Sequence, residues 1–224
     1  MSFLVLANFK SHKTVPEVKD WLKLVSSRSF PKDLEVAVAP SFPHLSLIHS
    51  FARSLVLAAQ DVSPFPSGSY TGAVNASQLK DLGVKYCLVG HSERRRYFHE
   101  TPANVAAKVS ELLANSLVPI VCVSQADIVP QFAALADDLR AQCFFCYEPP
   151  GDIGGTELDD LEDIKKVTAH LATYAPASRL MYGGSVNETN IHTLKTLGLG
   201  GTLVATASLE PGEFISVCEA YLHA

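Results

Sequence analysis

Runs of basic residues are missing from this chain. The nearest approach, Arg94-Arg95-Arg96, is short and follows directly on the acidic Glu93. With a formal net charge of −5, that shortage argues against a nucleic-acid groove. Long apolar stretches are missing too. None approaches the ~18 residues needed to cross a bilayer, and the N-terminal run Phe3–Ala7 is too short for a secretory core and has no basic flank before it. The expectation is a soluble, cytoplasmic protein with neither a nucleic-acid nor a membrane partner. Cysteines are few: Cys87, Cys122, Cys143, Cys146 and Cys218 are scattered and odd in number, which does not suggest a disulfide framework. Cys143 and Cys146 have CxxC spacing, but their apolar surroundings read as a strand, on which positions i and i+3 point to opposite faces. Buried core thiols are the better expectation there than a metal or redox pair.

What the chain does have is a 47% hydrophobic composition over 224 residues, enough for one large domain or two small ones. Short apolar runs alternate with amphipathic stretches along its whole length. The runs are Phe3–Ala7, Val36–Ala39, Val56–Ala59, Tyr86–Val89, Ile120–Val123, Phe144–Tyr147, Leu180–Tyr182 and Thr202–Val204. They lack clear in/out alternation, as expected of strands buried on both faces.

Between them lie helix signals. Thr14-Val-Pro-Glu17 reads as a capping box, with Val18, Trp21, Leu22 and Val25 on one face. Thr101-Pro102 opens another helix, with Val105, Val109, Leu112 and Leu113 at helical spacing. The stretch from Glu157 to Tyr174 starts acidic and turns basic at Lys165-Lys166, with Leu158, Leu161, Ile164 and Leu171 as its stripe. Asn187–Leu197 ends before Gly198, a plausible C′ residue. The third and fifth units have the weakest helix signals. Eight such alternations without a linker or a composition shift favour a (β/α)₈ barrel, one domain over residues 1–224, although an open doubly wound sheet produces the same pattern.

In such barrels the chemistry sits at the C-terminal ends of the strands. After the first run comes Asn8-Phe9-Lys10, after the fourth Gly90-His91-Ser92-Glu93-Arg94, and after the sixth Glu148-Pro149. Gly183-Gly184-Ser185 follows the seventh and Ala205-Thr206-Ala207-Ser208 the eighth. Taken singly, Lys10 reads as a surface charge, His91 as a loop residue, Glu148 as a turn residue and Gly-Gly-Ser as a tight turn. Together at one end of one barrel they form a coherent set. A carboxylate can take a proton from a carbon beside a carbonyl if something stabilises the enediolate. An imidazole at a helix N-terminus can polarise the carbonyl, and an ammonium adds positive charge. The N–H groups of a glycine-rich turn can hold a phosphate. That set describes an isomerase moving a proton within a phosphorylated sugar.

These segments resemble the triosephosphate isomerase family over nearly the whole chain. Asn8-Phe9-Lys10 is similar to the family's Asn-x-Lys. AAQDVSPFPSGSYTGAV resembles its long third loop, and LVGHSERR its most recognisable segment. YEP, YGGSV and LVATASL follow in order. The resemblance implies that Glu148 is the general base, His91 the neutral electrophile, and Lys10 the stabiliser of negative charge, with Asn8 and Glu93 positioning them; a Glu base, a neutral imidazole and a closing loop are established features of that family. It implies Gly154, Ser185, Ala205 and Thr206 around the phosphate, with no metal or organic cofactor. The substrate it implies is a small phosphorylated triose, the setting glycolysis and gluconeogenesis. It also implies a homodimer in which loop 61–75, carrying Phe65, Tyr70 and Thr71, inserts beside the neighbouring subunit's counterparts of Asn8 and Lys10; an ordered surface loop is the alternative.

YEPPGDIGGT, Tyr147 to Thr156, then reads as a base followed by a lid. Pro149-Pro150 would stiffen its first hinge, and Ile153 and Gly154 match its tip. The chain also departs from the family. Gly151 and Asp152 replace a Trp-Ala pair, Gly155-Thr156 inverts the far hinge, and Ala205 and Thr206 stand where two glycines usually do. Ala73 replaces a Glu, and Cys122-Val-Ser-Gln125 replaces Cys-Ile-Gly-Glu. More glycine in the lid means more entropy lost on closing, hence a weaker lid. Two rival readings are a related barrel isomerase for another small phosphosugar and a non-catalytic barrel that binds a phosphorylated metabolite.

Overall fold

The computed structural model describes residues 2–51, 55–149, 158 and 160–222. In chain order the first half comprises β1 (Phe3–Asn8), α1 (Val15–Val25), β2 (Leu34–Ala39), α2 (Leu45–Phe51), β3 (Val56–Ala59), α3 (Ala76–Asp81), β4 (Tyr86–Val89), α4 (Ser92–Tyr97) and α5 (Pro102–Ala114). The second half comprises β5 (Val118–Val123), α6 (Ile128–Ala134), α7 (Asp137–Arg140), β6 (Phe144–Tyr147), α8 (Leu161–Leu171), β7 (Leu180–Tyr182), α9 (Ile191–Thr196), β8 (Gly201–Val204) and α10 (Pro211–Leu222). All eight strands pair in parallel, each with its neighbour in sequence. β1 closes on β8 with Leu4 opposite Gly201 and Ala7 opposite Val204, making a closed barrel.

Because a strand exposes alternate residues to opposite sides, the apolar runs divide between two cores. Leu4, Leu6, Tyr86, Leu88, Ile120, Cys122, Phe144, Cys146, Met181 and Leu203 fill the inside of the barrel. Their neighbours Val5, Cys87, Val89, Val121, Val123, Phe145 and Val204 face outward under the helices. Both faces are buried, which is why the runs show no polar alternation. Cys143 packs in the outer core and Cys146 in the inner one, so the CxxC residues are kept apart, and all five thiols are free and buried.

The helices form where the capping signals stand. Thr14 and Glu17 make the reciprocal cap of α1, whose Val18, Trp21, Leu22 and Val25 are all buried. Thr101 and Asn104 do the same for α5. α8 is shorter than the pattern implied. It starts at Leu161 because the Asp160 side chain accepts the Glu162 N–H at 2.8 Å; Leu158 lies before the helix, packed against the outer core. α9 likewise covers only Ile191–Thr196, and Gly198 follows it at φ +67°. The third unit has only the six-residue α3. In the fifth, the helix is split into α6 and α7, the break falling at Leu135, which is extended.

Lys108 lies on the buried face of α5, 5% exposed, where the periodicity alone would place an apolar residue. Its ammonium meets Asp61 Oδ1 at 2.6 Å and also Glu100 Oε1, while Arg94 Nη2 meets Asp61 Oδ2 at 2.8 Å. Burial pushes the Asp61 carboxyl above its usual range, against the pull of Lys108 and Arg94. Two carboxylates and two cations thus neutralise one another under the root of loop 61–75. Removing one partner from a buried set leaves an uncompensated charge, at a cost of about 3 kcal/mol. Lys108→Met is therefore expected to lower the unfolding free energy by about that amount, seen as a lower urea midpoint with an unchanged slope; an unchanged midpoint would show the cluster to be energetically silent.

Candidate active site

Asn8 ends β1, nearly fully buried, and its Oδ1 accepts the Lys10 N–H at 3.0 Å. That bond helps hold Lys10 at φ +47°, a left-handed conformation in which the chain turns sharply out of the strand. Gln60, just past β3, donates from Nε2 to the carbonyls of both Lys10 and Ala39 at 2.9 Å. The Lys10 ammonium then reaches Glu93 Oε1 at 2.8 Å.

The turn after β4 is built on Gly90, at φ +69°. A Cβ there would fall 2.7 Å from Arg95 Nη2 and 2.9 Å from Val105 Cγ2. The Arg95 guanidinium fastens this turn, donating to Gly90 O at 2.7 Å, to Cys122 O at 3.1 Å and to Gln131 Oε1 at 2.8 Å. His91 becomes the N-cap of α4, and its Nδ1 accepts the Glu93 N–H at 3.2 Å. An accepting Nδ1 needs its lone pair, so in the neutral ring the proton sits on Nε2. That nitrogen meets Glu148 Oε1 at 3.0 Å. The other carboxylate oxygen of Glu148 accepts the Ser92 N–H at 2.9 Å.

Of the residues expected from sequence, Asn8, Lys10, His91, Glu93 and Glu148 come together at this one end of the barrel. Ser185 follows β7, its carbonyl held by Asn190 Nδ2 at 2.8 Å. Ala205 and Thr206 follow β8. Ala205 has φ −97°, so its Cβ brings no left-handed strain, and Thr206 is exposed at the start of a short 3₁₀ turn. Gly154 lies outside the described residues, together with Pro150, Gly151, Asp152, Ile153, Gly155, Thr156 and Glu157. Sequence reasoning gave no role to Gln60, Ser92 or Arg95. All three stand inside quoted segments, and what they contribute is mostly hydrogen bonding to or from the backbone, which residue type alone does not announce.

The electrostatics are those of a self-paired site. Burial pushes the Glu148 carboxyl up, but His91 and the Ser92 N–H outweigh it and hold it below the usual range. Burial pulls the His91 imidazole down, but Glu148 and then Glu93 lift it above its usual value, with Lys10 opposing.

The model of the family described as Triosephosphate isomerase matches residues 3–221. The chain belongs to the triosephosphate isomerase family. Its relatives include proteins named triosephosphate isomerase from Mesomycoplasma hyopneumoniae strain 7448, 34% identical with 96% of this chain and 97% of the relative covered. Another is from Polynucleobacter asymbioticus, 33% identical over 97% and 98%. A third is from Thermus thermophilus, 36% identical over 96% of each. Family membership thus rests on the whole barrel and not on the mouth alone.

The pairing of base and imidazole has a pH signature. A lowered Glu148 contributes stability above the unfolded glutamate value of about 4.3, lost as pH falls through its lower folded value. A raised His91 contributes stability below the unfolded histidine value of about 6.5, lost as pH rises through its higher folded value. Both are present between about pH 4.3 and 6.5. The stability lost in His91→Gln, measured by urea unfolding, should be greatest in that window; a loss independent of pH would contradict the pairing.

Proposed function

We infer that this protein interconverts dihydroxyacetone phosphate and D-glyceraldehyde 3-phosphate by proton transfer through an enediolate. The observation that carries this reading is the joint placement of Glu148, His91 and Lys10 at one mouth, each held by a backbone donor or a charged partner. In this reading Glu148 takes the proton from the carbon beside the substrate carbonyl and returns it to the adjacent carbon. His91 donates from Nε2 to the carbonyl oxygen as it gains charge, leaving it a hydroxyl, and regains a proton from the neighbouring hydroxyl as the new carbonyl forms on the adjacent carbon. Lys10 offsets the negative charge, with Asn8 and Glu93 holding it in place. The phosphate takes N–H groups from Ser185, Ala205, Thr206 and Gly154. The chemistry is protonic throughout and uses no metal or organic cofactor.

Both oxygens of Glu148 are engaged, by the Ser92 N–H and by His91, so the carboxylate must leave them to reach a carbon. That departure removes the largest influence lifting the imidazole. Burial, Lys10 and the Glu93 N–H then all favour the neutral ring, the form able to donate without having been cationic. A barrel that only bound a phosphorylated metabolite would have no use for a buried base held in this way. Glycolysis and gluconeogenesis in the cytoplasm are the setting in which such a reaction serves.

Removing a general base typically costs 10²–10⁴-fold. Glu148→Gln is therefore expected to lower kcat about 10³-fold on either triose phosphate, with KM little changed. Rapid turnover of a different small phosphosugar, with none of these two, would shift the reading to a related isomerase. Tight phosphometabolite binding without any turnover would point to the non-catalytic barrel.

The reading includes a homodimer through loop 61–75. The loop is tied at its root by the Ser63 N–H to Val74 O, 2.8 Å, and by the ion cluster at Asp61. Farther out, Phe65 and Tyr70 stack at 4.5 Å while remaining 48% and 43% exposed. Tyr97, the last residue of α4, and Phe98 just past it are also exposed, and Phe98 lines the cleft at Lys10. Phe65→Glu should shift the sedimentation coefficient from dimer to monomer and reduce turnover; an unchanged coefficient in both proteins at the monomer value would sink the dimer.

A further inference from the structure

Directly beneath Glu148 lie two thiols with no part in the chemistry above. Cys122 and Cys146 are register partners on β5 and β6, wholly buried side by side inside the barrel. Cys146 precedes Glu148 by two residues, so it belongs to the same inward-facing row. On its other side is the turn after β7. A Cβ on Gly183 would fall 2.8 Å from Cys146 Sγ and 3.4 Å from Glu148 Cγ, while the Gly183 N–H donates to Tyr147 O at 2.8 Å. One sulfur therefore bears on the turn that leads to Ser185 and underlies the stem of Glu148, with Cys122 behind it.

We propose that Cys146 is a positioning residue that, backed by Cys122, sets the height of Glu148 relative to the Gly183–Ser185 turn. The proposal rests on Glu148 being the base. When the carboxylate leaves Ser92 and His91, its stem needs a fixed pivot, and Cys146 Sγ supplies one that Gly183, lacking a side chain, can lie against. Deleting the sulfur opens a space that a close-packed interior fills by small shifts of its walls. A displacement of about 1 Å at a reacting group can cost on the order of 10²-fold in rate. A disulfide between the two is not the role argued for: the neighbouring Cys146 and burial push the Cys122 thiol well up, and Cys146, against the opposite pull of Cys122, is raised by burial with the nearby Glu148, so both stay in the neutral, unreactive form.

The test compares Cys146→Ala, Cys146→Ser, Cys146→Val and Cys122→Ala with the parent enzyme, with Glu148→Gln alongside. Cys146→Ala should lower kcat roughly 10- to 100-fold with KM within about twofold. Cys146→Ser, which keeps an atom at the γ position for Gly183 to lie against, should recover most of it. Cys122→Ala should lose kcat in the same direction as Cys146→Ala, and Cys146→Val, crowding Gly183, should chiefly raise KM. The second readout is the acid limb of kcat/KM, corrected for the substrate phosphate's own ionisation near pH 6; its position does not depend on how much of a preparation is folded. Glu148 is faced by His91 and Ser92 from the β4 turn and by the two neutral thiols, with Glu93 and Lys10 beyond the imidazole. Loosening it from His91 and Ser92 leaves burial dominant, so the limb should move to higher pH in Cys146→Ala and back in Cys146→Ser. Parental kcat and an unmoved limb in Cys146→Ala, or loss of rate with no recovery in Cys146→Ser, would overturn the proposal while leaving the base intact. An active Glu148→Gln would instead overturn the reading of the base itself.

Discussion

Closure of β1 against β8 is the constraint on which the mouth of the barrel depends. The seam brings Leu4 and Gly201 so near that a Cβ on Gly201 would fall 2.5 Å from the Leu4 carbonyl oxygen. Once it is shut, the Trp21 indole of α1 donates to Ser208 O at 2.8 Å, and the Ser208 hydroxyl lies 3.4 Å from Asn8 O. The end of the last strand is thereby fixed to the end of the first. Only then can Lys10, from the beginning of the chain, reach Glu93 across the mouth, and Glu148, from beyond the middle, meet His91 between them. A sheet left open between these strands would also expose unpaired edges, which a barrel abolishes.

Much of this was legible in the sequence, for reasons that differ by element. The strands could be read because both faces are buried, so each run is apolar without interruption. α1 and α5 could be read because their caps are reciprocal and local. The site could be located because polar residues and glycines gather after the strands. Other features were hidden. Lys108 looks like a surface charge until Asp61 and Glu100, distant in the chain, are brought beside it. The start of α8 turns on a single side-chain bond from Asp160. The tasks of Gln60, Ser92 and Arg95 lie in hydrogen bonds, mostly to or from the backbone, whose partners are 21 to 56 residues away, apart from the nearer Gly90. No local pattern encodes them.

Among the described residues of the site, the charges are matched to one another: Lys10 by Glu93 and Glu148 by His91, with backbone N–H groups on Glu148 Oε2, His91 Nδ1 and Asn8 Oδ1. An anionic substrate must therefore compete with Glu93 for Lys10 and with Glu148 for His91. What it gains is the difference between the two sets of contacts, and a pre-arranged site makes that exchange inexpensive in reorganisation.

The interior narrows in chemistry as well as in space. Tyr86 and Phe144, the first residues of β4 and β6, meet edge to face at 6.0 Å low in the barrel, with Leu4 and Leu203 buried in the same core, while small residues such as Ala39 and Cys122 lie nearer the mouth. The barrel is a vessel with a floor. Whatever enters from the strand ends must leave by the same opening, so substrate and product share one doorway, and the step that clears it sets a limit on the cycle that no improvement in the chemistry can lift.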